Sequence, residues 1–136
     1  KIIEGYLEIL QFMKIDFTIS FRDLAKILNN KKIVKDSVFK ESQDFNDWYK
    51  GWLEELNKYK KNNKDISKEM DEVNPCYIPR NHIIERALEI ASEGDISQIK
   101  EINELLRAPY LEKNISKDYL SPSSDSDLPY ITYCGT

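Results

Sequence analysis

Four side chains in this sequence have the types to do chemistry: Cys76, Arg80, His82 and Cys134. His82 is the sole histidine. A general base needs a positioned partner and a cleft, and neither is evident here, so its position reads as a ring held at a helix start by hydrogen bonds. One histidine and two cysteines also make no zinc site and no disulfide scaffold. Arg80 has two readings. It could clamp an anion, because helix N-termini present free N–H groups, or it could pair with a carboxylate on an acidic helix face, which is the preferred reading. Cys134 lies two residues from the end, beside Gly135. The nearby terminal carboxylate disfavours its thiolate, so the residues alone describe an inert terminal thiol. Cys76 sits between two prolines and reads as buried, with no physical reason to pair with Cys134. No CxxC, glycine-rich phosphate loop, strand lysine or DFG-like metal motif is present. The sequence therefore offers no catalytic residue and no metal ligand.

Three of those four side chains belong to one stretch, residues 73–95, VNPCYIPRNHIIERALEIASEGD. Pro75 and Pro79 donate no backbone hydrogen bond, and each pushes the residue before it towards an extended conformation. Residues 74–78 should form an ordered, non-helical lead-in that starts at Asn74. A helix then begins at Pro79, as first helical residue, or at Asn81, as N-cap. Ile83, Ile84, Ala87, Leu88 and Ala91 recur at helical spacing and make one apolar stripe. Gly94 is placed to end that helix in a left-handed conformation. Asp95 caps the next helix, with Gln98 three residues on as in a capping box. The stretch reads as strut, helix, tight corner, helix: a structural hinge.

With its continuation ISQIKEINELLRAPY, this stretch resembles the C-terminal region of the selenoprotein O family (SelO, or YdiU). The family pattern runs close to NPxxIPRNHxxExAL, then GD, then a helix ending LLxxPY. The closing TYCGT resembles the family's terminal Cys or selenocysteine followed by two small residues. Upstream, DFTISFRDL at residues 16–24 resembles a DFTxTFRxL segment, and WYKGWLEEL at residues 48–56 matches a paired-Trp helix more loosely. The resemblance implies a protein-kinase-like fold and transfer of AMP from ATP to hydroxyl side chains of other proteins, with a divalent metal. ATP and Mg2+ are thus expected of a full-length parent, and no cofactor of this stretch itself. The resemblance also turns Cys134 into a redox-active thiol that pairs with a thiol elsewhere in the protein.

The elements around the hinge read as helical. With 40% hydrophobic and 32% charged residues, and only 4 Gly and 5 Pro, the composition favours helix over a sandwich or barrel. Residues 1–14 carry Ile3, Tyr6, Leu7, Leu10 and Met13 on one face, widened by Ile2, Ile9 and Phe12. A stripe that wide wants partners on more than one side. Residues 16–20 are β-branched and aromatic and read as an extended connection, with Ser20 capping a helix over 21–28 and Asp23 in its first turn. Residues 31–42 read as a loop, with a short helix near Val38 as the alternative. Residues 43–59 form the clearest helix, through Phe45, Trp48, Tyr49, Trp52, Leu53, Leu56 and Tyr59. These aromatics read as core, with an aromatic ligand box as the lesser alternative, and their indole N–H groups need partners. Gly51 inside this helix suggests close packing against a neighbour. Asn62 and Asn63 mark a break, and residues 66–73 form a short helix. A helix over 96–107 turns Ile99, Ile102, Leu105 and Leu106 inward until Pro109 stops it.

The net charge of -4 argues against a general nucleic-acid binder, and the run Lys58, Lys60, Lys61 and Lys64 reads as a solvated helix end. No apolar run is long enough to cross a membrane, and KIIEGYLEI does not resemble a signal peptide, so no membrane partner and a cytoplasmic location are expected. An Asn-x-Ser sequon at Asn114 has no secretory signal to support it. The expected architecture is all-α: an irregular helical bundle or array with an extended C-terminal tail, a fragment of a larger kinase-like protein. Residues 1–110 would be its helical C-terminal region and 111–136 a tail carrying the terminal Cys. Its first expected role is to buttress the missing N-terminal catalytic part and carry the redox thiol, with protein substrates acted on by the parent. A free-standing helical interaction module is the alternative, and a small thiol oxidoreductase is the weakest.

Overall fold

The computed structural model describes residues 1–33, 35–113 and 117–122. Among them are six α-helices, one 3-10 turn and no strand. The chain forms two compact units, Lys1–Cys76 and Tyr77–Thr136; the sequence division at 110/111 falls inside the second.

The first unit holds α1 (Ile2–Met13), α2 (Phe17–Asn30), α3 (Gln43–Leu56) and α4 (Asn63–Val73). α2 packs mainly on α4, and α1 on α3. Helix α2 begins at Phe17, four residues earlier than the pattern suggests. The Asp16 carboxylate accepts the Ile19 N–H at 2.9 Å and caps it, and that cap together with packing overrides the weak β-preference of Phe17, Thr18 and Ile19. Ser20 is therefore interior, donating to the Phe17 carbonyl at 2.7 Å. Asp23 moves to the middle of α2, buried, where its carboxylate accepts from Ser37 Oγ at 2.6 Å and the Val38 N–H at 2.9 Å. Those bonds pin the loop after α2, which holds turns and no helix near Val38. Ser42 caps α3 through the Phe45 N–H, and Asn62 caps α4 through the Asp65 N–H, so α4 starts earlier than residue 66. Ser67 Oγ bonds the Ala25 carbonyl at 2.8 Å, tying α4 to α2.

The core of this unit is aromatic. Phe39 and Phe45 are fully buried and stacked, with ring centroids 3.9 Å apart. Tyr6 joins Trp48 at 4.6 Å and Phe21 at 5.2 Å. Each buried ring contributes about 1.5–3 kcal/mol by area. The Trp48 indole N–H donates to the Ile2 carbonyl at 2.8 Å, which locks α3 to the start of α1. The close approach between these helices is at Gly5, where an added Cβ would lie 3.3 Å from Trp48 Cδ1. Gly51 faces open space, so its expected packing role is overturned: its helix face points away from α1. The apolar stripe of α1 is only half covered. Tyr6, Ile9 and Leu10 are buried, while Ile3 is 75% and Phe12 82% exposed.

The second unit holds α5 (Asn81–Ser92) and α6 (Ser97–Leu106), packed on each other. Ile83, Ala87 and Ile102 form its core cluster, flanked by Ile84, Ile99, Leu106 and Tyr119. Leu88, expected on the inward stripe, is exposed, because one partner helix covers only a narrow face. Past α6, a single 3-10 turn, Lys117–Tyr119, brings the Tyr119 hydroxyl to Glu101 Oε2 at 2.5 Å. Burial and this carboxylate push the Tyr119 hydroxyl pKa up.

Candidate functional site: the proline-bounded strut and the helix corner

Asn74 and Pro75 close the first unit. Asn74 is the C-cap of α4, and both its N–H and its Nδ2 donate to the Met70 carbonyl, at 3.0 and 2.7 Å. Its own carbonyl accepts from Arg22 Nη1 at 3.3 Å; the same nitrogen bonds the Asp71 carbonyl at 3.0 Å. Arg22 thus sets a cation against the last carbonyls of α4, which the helix dipole favours. Pro75 then prevents continuation. Cys76 is buried, as its place between the prolines suggests.

Tyr77 opens the second unit, with Pro79 following. The Tyr77 N–H donates to the Pro109 carbonyl at 3.3 Å, and its hydroxyl accepts the Lys113 N–H at 2.8 Å. Residues 77–80 are not helical, in line with the lead-in expected from the two prolines. Helix α5 then starts with Arg80 as N-cap, extended at φ -72° and ψ 131°, its carbonyl accepting from the Ile83 and Ile84 N–H groups at 3.0 Å. Asn81 is the first helical residue, so it is not the N-cap; no side chain caps this end. Arg80 is buried, His82 is half-buried and Asn81 is exposed.

The corner at the other end of α5 is a Schellman motif. The Gly94 N–H bonds the Ala91 carbonyl at 3.0 Å, and the Asp95 N–H bonds the Ile90 carbonyl at 3.3 Å. Gly94 has φ +99°, a conformation L side chains rarely adopt. Asp95 Oδ1 accepts the Ser97 N–H at 2.8 Å. That backbone bond, with the Ser97 hydroxyl, holds the Asp95 carboxyl below the usual aspartate range. Helix α6 has Ile96 as its N-cap residue, so Asp95 caps from one position further out and Gln98 closes no capping box.

Arg80, Asn81 and His82 therefore sit at one end of α5 and Gly94 and Asp95 at the other. The helix between these ends has twelve residues, Asn81–Ser92, and is about 18 Å long at 1.5 Å per residue, so the two groups share no cleft. The cavity at the start of α5, between Tyr77, Arg80, Ile83, Leu105 and Tyr119, is ≈ 10 Å³, enough for about one water. Cys134 lies outside the described residues. Among the described residues no group of three or more His, Cys, Asp or Glu could hold a metal ion. No helix among them is long and apolar enough to cross a membrane. Two members of the lysine run are ion-paired, Lys58 with Glu55 and Lys61 with Glu69.

One concavity lies apart from the motif. A groove of ≈ 700 Å³ opens in the first unit beside Ile2, Trp52, Leu56, Tyr59 and Ile66. Trp52 and Tyr59 are visible in the sequence, but only the pairing of α1 with α3 shows that Tyr59 stands 67% exposed at its edge.

A family model described as "Protein adenylyltransferase SelO" matches residues 1–107. Curated relatives are similar over the same chain. The Protein nucleotidyltransferase YdiU of Bacillus mycoides (strain KBAB4) is 38% identical over 138 aligned positions, covering 100% of this chain and 27% of the relative. That of Bacillus cereus (strain AH820) is 35% identical over 137, with 100% and 27% covered. That of Clostridium perfringens (strain SM101 / Type A) is 36% identical over 135, with 99% and 26% covered. The chain thus spans about a quarter of the length of the curated relatives it matches.

Proposed function

The chain belongs to the SelO family of protein adenylyltransferases, and from that premise we propose that it is the C-terminal, non-catalytic helical part of such an enzyme. In the full-length protein, AMP passes from ATP, with Mg2+, to hydroxyl groups of protein substrates. The helices described here buttress the kinase-like core and carry a redox thiol, Cys134. The observation that supports this most is coverage: all of this chain aligns with 27% of the relatives' length. The partners are the N-terminal catalytic part of the same protein and its protein substrates, with no nucleic acid or membrane, in the cytoplasm.

Labelled-ATP transfer tests the assignment. The full-length protein should label a protein acceptor, and the 136-residue chain should not; transfer by the purified chain, lost on mutating one of its carboxylates, would overturn the non-catalytic role. The redox role has its own test. Cys134 and a thiol upstream of Lys1 together lose two protons and two electrons to a low-molecular-weight disulfide, which is reduced to two thiols. Non-reducing peptide mapping of the oxidised full-length protein should find that cross-link, and Cys134→Ser should remove the dependence of activity on oxidant. Pairing of Cys134 with Cys76, or a free Cys134 while other thiols pair, would overturn it.

A second reading, a free-standing interaction module, also accommodates the exposed Ile3 and Leu7 of α1. It differs in requiring a chain that is monodisperse and binds a separate partner protein through that face.

A further inference from the structure

We propose that the corner of the first unit where α2 stops and α4 starts is a docking surface for an acidic segment of a partner protein. The inference concerns binding alone and stands apart from the adenylyltransferase reading.

Two lysine runs that are far apart in the sequence meet at this corner. Ala25 lies level with Ser67, whose Oγ bonds its carbonyl at 2.8 Å. Arg22, about one turn earlier in α2, reaches the Asp71 carbonyl, about one turn later in α4. The two helices therefore run antiparallel. One turn the other way sets Asn29 level with Asn63, so Lys31, the C-cap of α2, stands beside Asn62, the N-cap of α4. Packed helices are about 8–10 Å apart axis to axis. Lys31 and Lys32 are thus brought to the same corner as Lys60 and Lys64, a juxtaposition that neither run announces in the sequence.

These four cations are exposed, and among the described residues none of them makes an ion pair. The acids nearby are already engaged. Glu55 pairs with Lys58, Glu69 with Lys61, and the Asp65 carboxylate accepts from Asn62 Nδ2 at 2.6 Å. Beyond Lys32, Lys35 and Asp36 offset each other. The loop that leaves the corner is pinned by the bonds of Asp23 to Ser37 and Val38 and by the buried Phe39. A group of unneutralised like charges on a fixed frame attracts anions and steers their approach. The chain as a whole carries a net charge of -4. A long polyanion or an anionic membrane therefore meets repulsion beyond the corner, whereas a short acidic segment meets the corner alone. The four are also lysines, point charges without the planar fork with which arginine grips phosphate.

The probe is a fluorescein-labelled oligoglutamate of about ten residues, added to the full-length protein at low ionic strength, where exposed charges are least screened. It should bind. Lys32→Glu and Lys64→Glu should each weaken binding at least about threefold, and together at least about tenfold. Lys100→Glu makes the same charge change on α6 and should alter binding by less than about twofold. Both substituted corner sites are exposed, and a glutamate in the first turn of α4 complements its dipole, so these variants should melt like the unmodified protein. No binding of the oligoglutamate overturns the inference. So does a loss confined to one of the two lysine runs, because the runs then form no common surface. An equal loss with Lys100→Glu makes net charge the cause and overturns it too. Tighter binding of oligothymidylate or of phosphatidylserine vesicles, released by the same two substitutions, makes a nucleic acid or a membrane the occupant and also overturns it. AMP transfer is scored separately: its absence overturns the adenylyltransferase reading and leaves this inference standing.

Discussion

In the first unit, order comes from bulk: Phe39 and Phe45 stacked and fully buried, with Tyr6, Phe21 and Trp48 packed around them. In the second, the core cluster is Ile83, Ala87 and Ile102, and much of the order comes from the backbone, through Pro79 at the lead-in and the Schellman turn at Gly94. The two depend on different properties of a residue. A core site is defined by volume and tolerates another apolar side chain of similar size. A turn site is defined by dihedral angles that only one or two residue types reach. This explains why the recognisable stretch, residues 73–95, is rich in turn and cap residues and yet holds no converging site.

The largest expected effect lies in the first unit. Phe45→Ala should cost about 3–5 kcal/mol, by lost burial and a cavity under Phe39. Both tryptophans, Trp48 and Trp52, lie in this unit, so urea unfolding followed by their fluorescence reports it alone. A loss under about 1 kcal/mol would mean that the aromatic stack is dispensable, and the contrast between the units would fail. Gly94→Val should cost about 1 kcal/mol or more, because a β-branched side chain resists the positive φ. Hydrogen exchange should show the loss in α5 and α6 while the tryptophan transition stays put. A variant whose α5 and α6 exchange like the unmodified protein would show that the turn does not organise the unit. Smaller and opposite in sign, Gly51→Ala should stabilise α3 by up to about 1 kcal/mol, since nothing lies near its added methyl. Gly5→Ala should gain less, because its methyl presses on Trp48. Equal gains in thermal melts would show that the α1–α3 contact gives way freely.

These glycines show what sequence conveys. Gly94 is legible because a helix stripe ends on it and an Asp follows. Gly5 and Gly51 look alike along the chain, and only the side of α3 that faces α1 distinguishes them. Helix α2 illustrates a different limit. The pattern places its start too late because Phe17, Thr18 and Ile19 favour strand, although the Asp16 cap that fixes it is in plain view. The half-exposed face of α1 is foreseeable as an over-wide stripe, but not which residues stay open. For the candidate site, the lead-in and the corner are legible as backbone chemistry. The N-cap is not, because Arg80 caps with its carbonyl alone, a role no side chain announces. Cys134 falls outside the described residues, so its role rests on the resemblance.

The smallest predicted effect sharpens the comparison at its weakest link, the Asp95 corner. The first unit gains little from exposed charge, whereas this corner uses an exposed carboxylate to hold the Ser97 amide at the start of α6. The folded state holds the Asp95 carboxyl below the usual aspartate range, first through the Ser97 N–H and then through the Ser97 hydroxyl, and the helix dipole acts in the same direction. A carboxyl with a depressed folded pKa contributes stability that is fully present above its unfolded pKa, about 3.9, and is lost as pH falls through the folded value. Neutral pH down to about 5 should therefore leave the corner unchanged, because the carboxylate is ionised there in both states. Asp95→Asn keeps the shape and an acceptor oxygen but removes the charge. It should melt slightly below the unmodified protein at pH 7, and the gap should shrink as pH falls and close once Asp95 is protonated. Followed by circular dichroism, a gap that is constant with pH would mean that shape alone sets the corner. A gap that widens in acid would mean that the Asp95 carboxyl is raised by folding, and the hydrogen bond to Ser97 would then not stabilise the charged form.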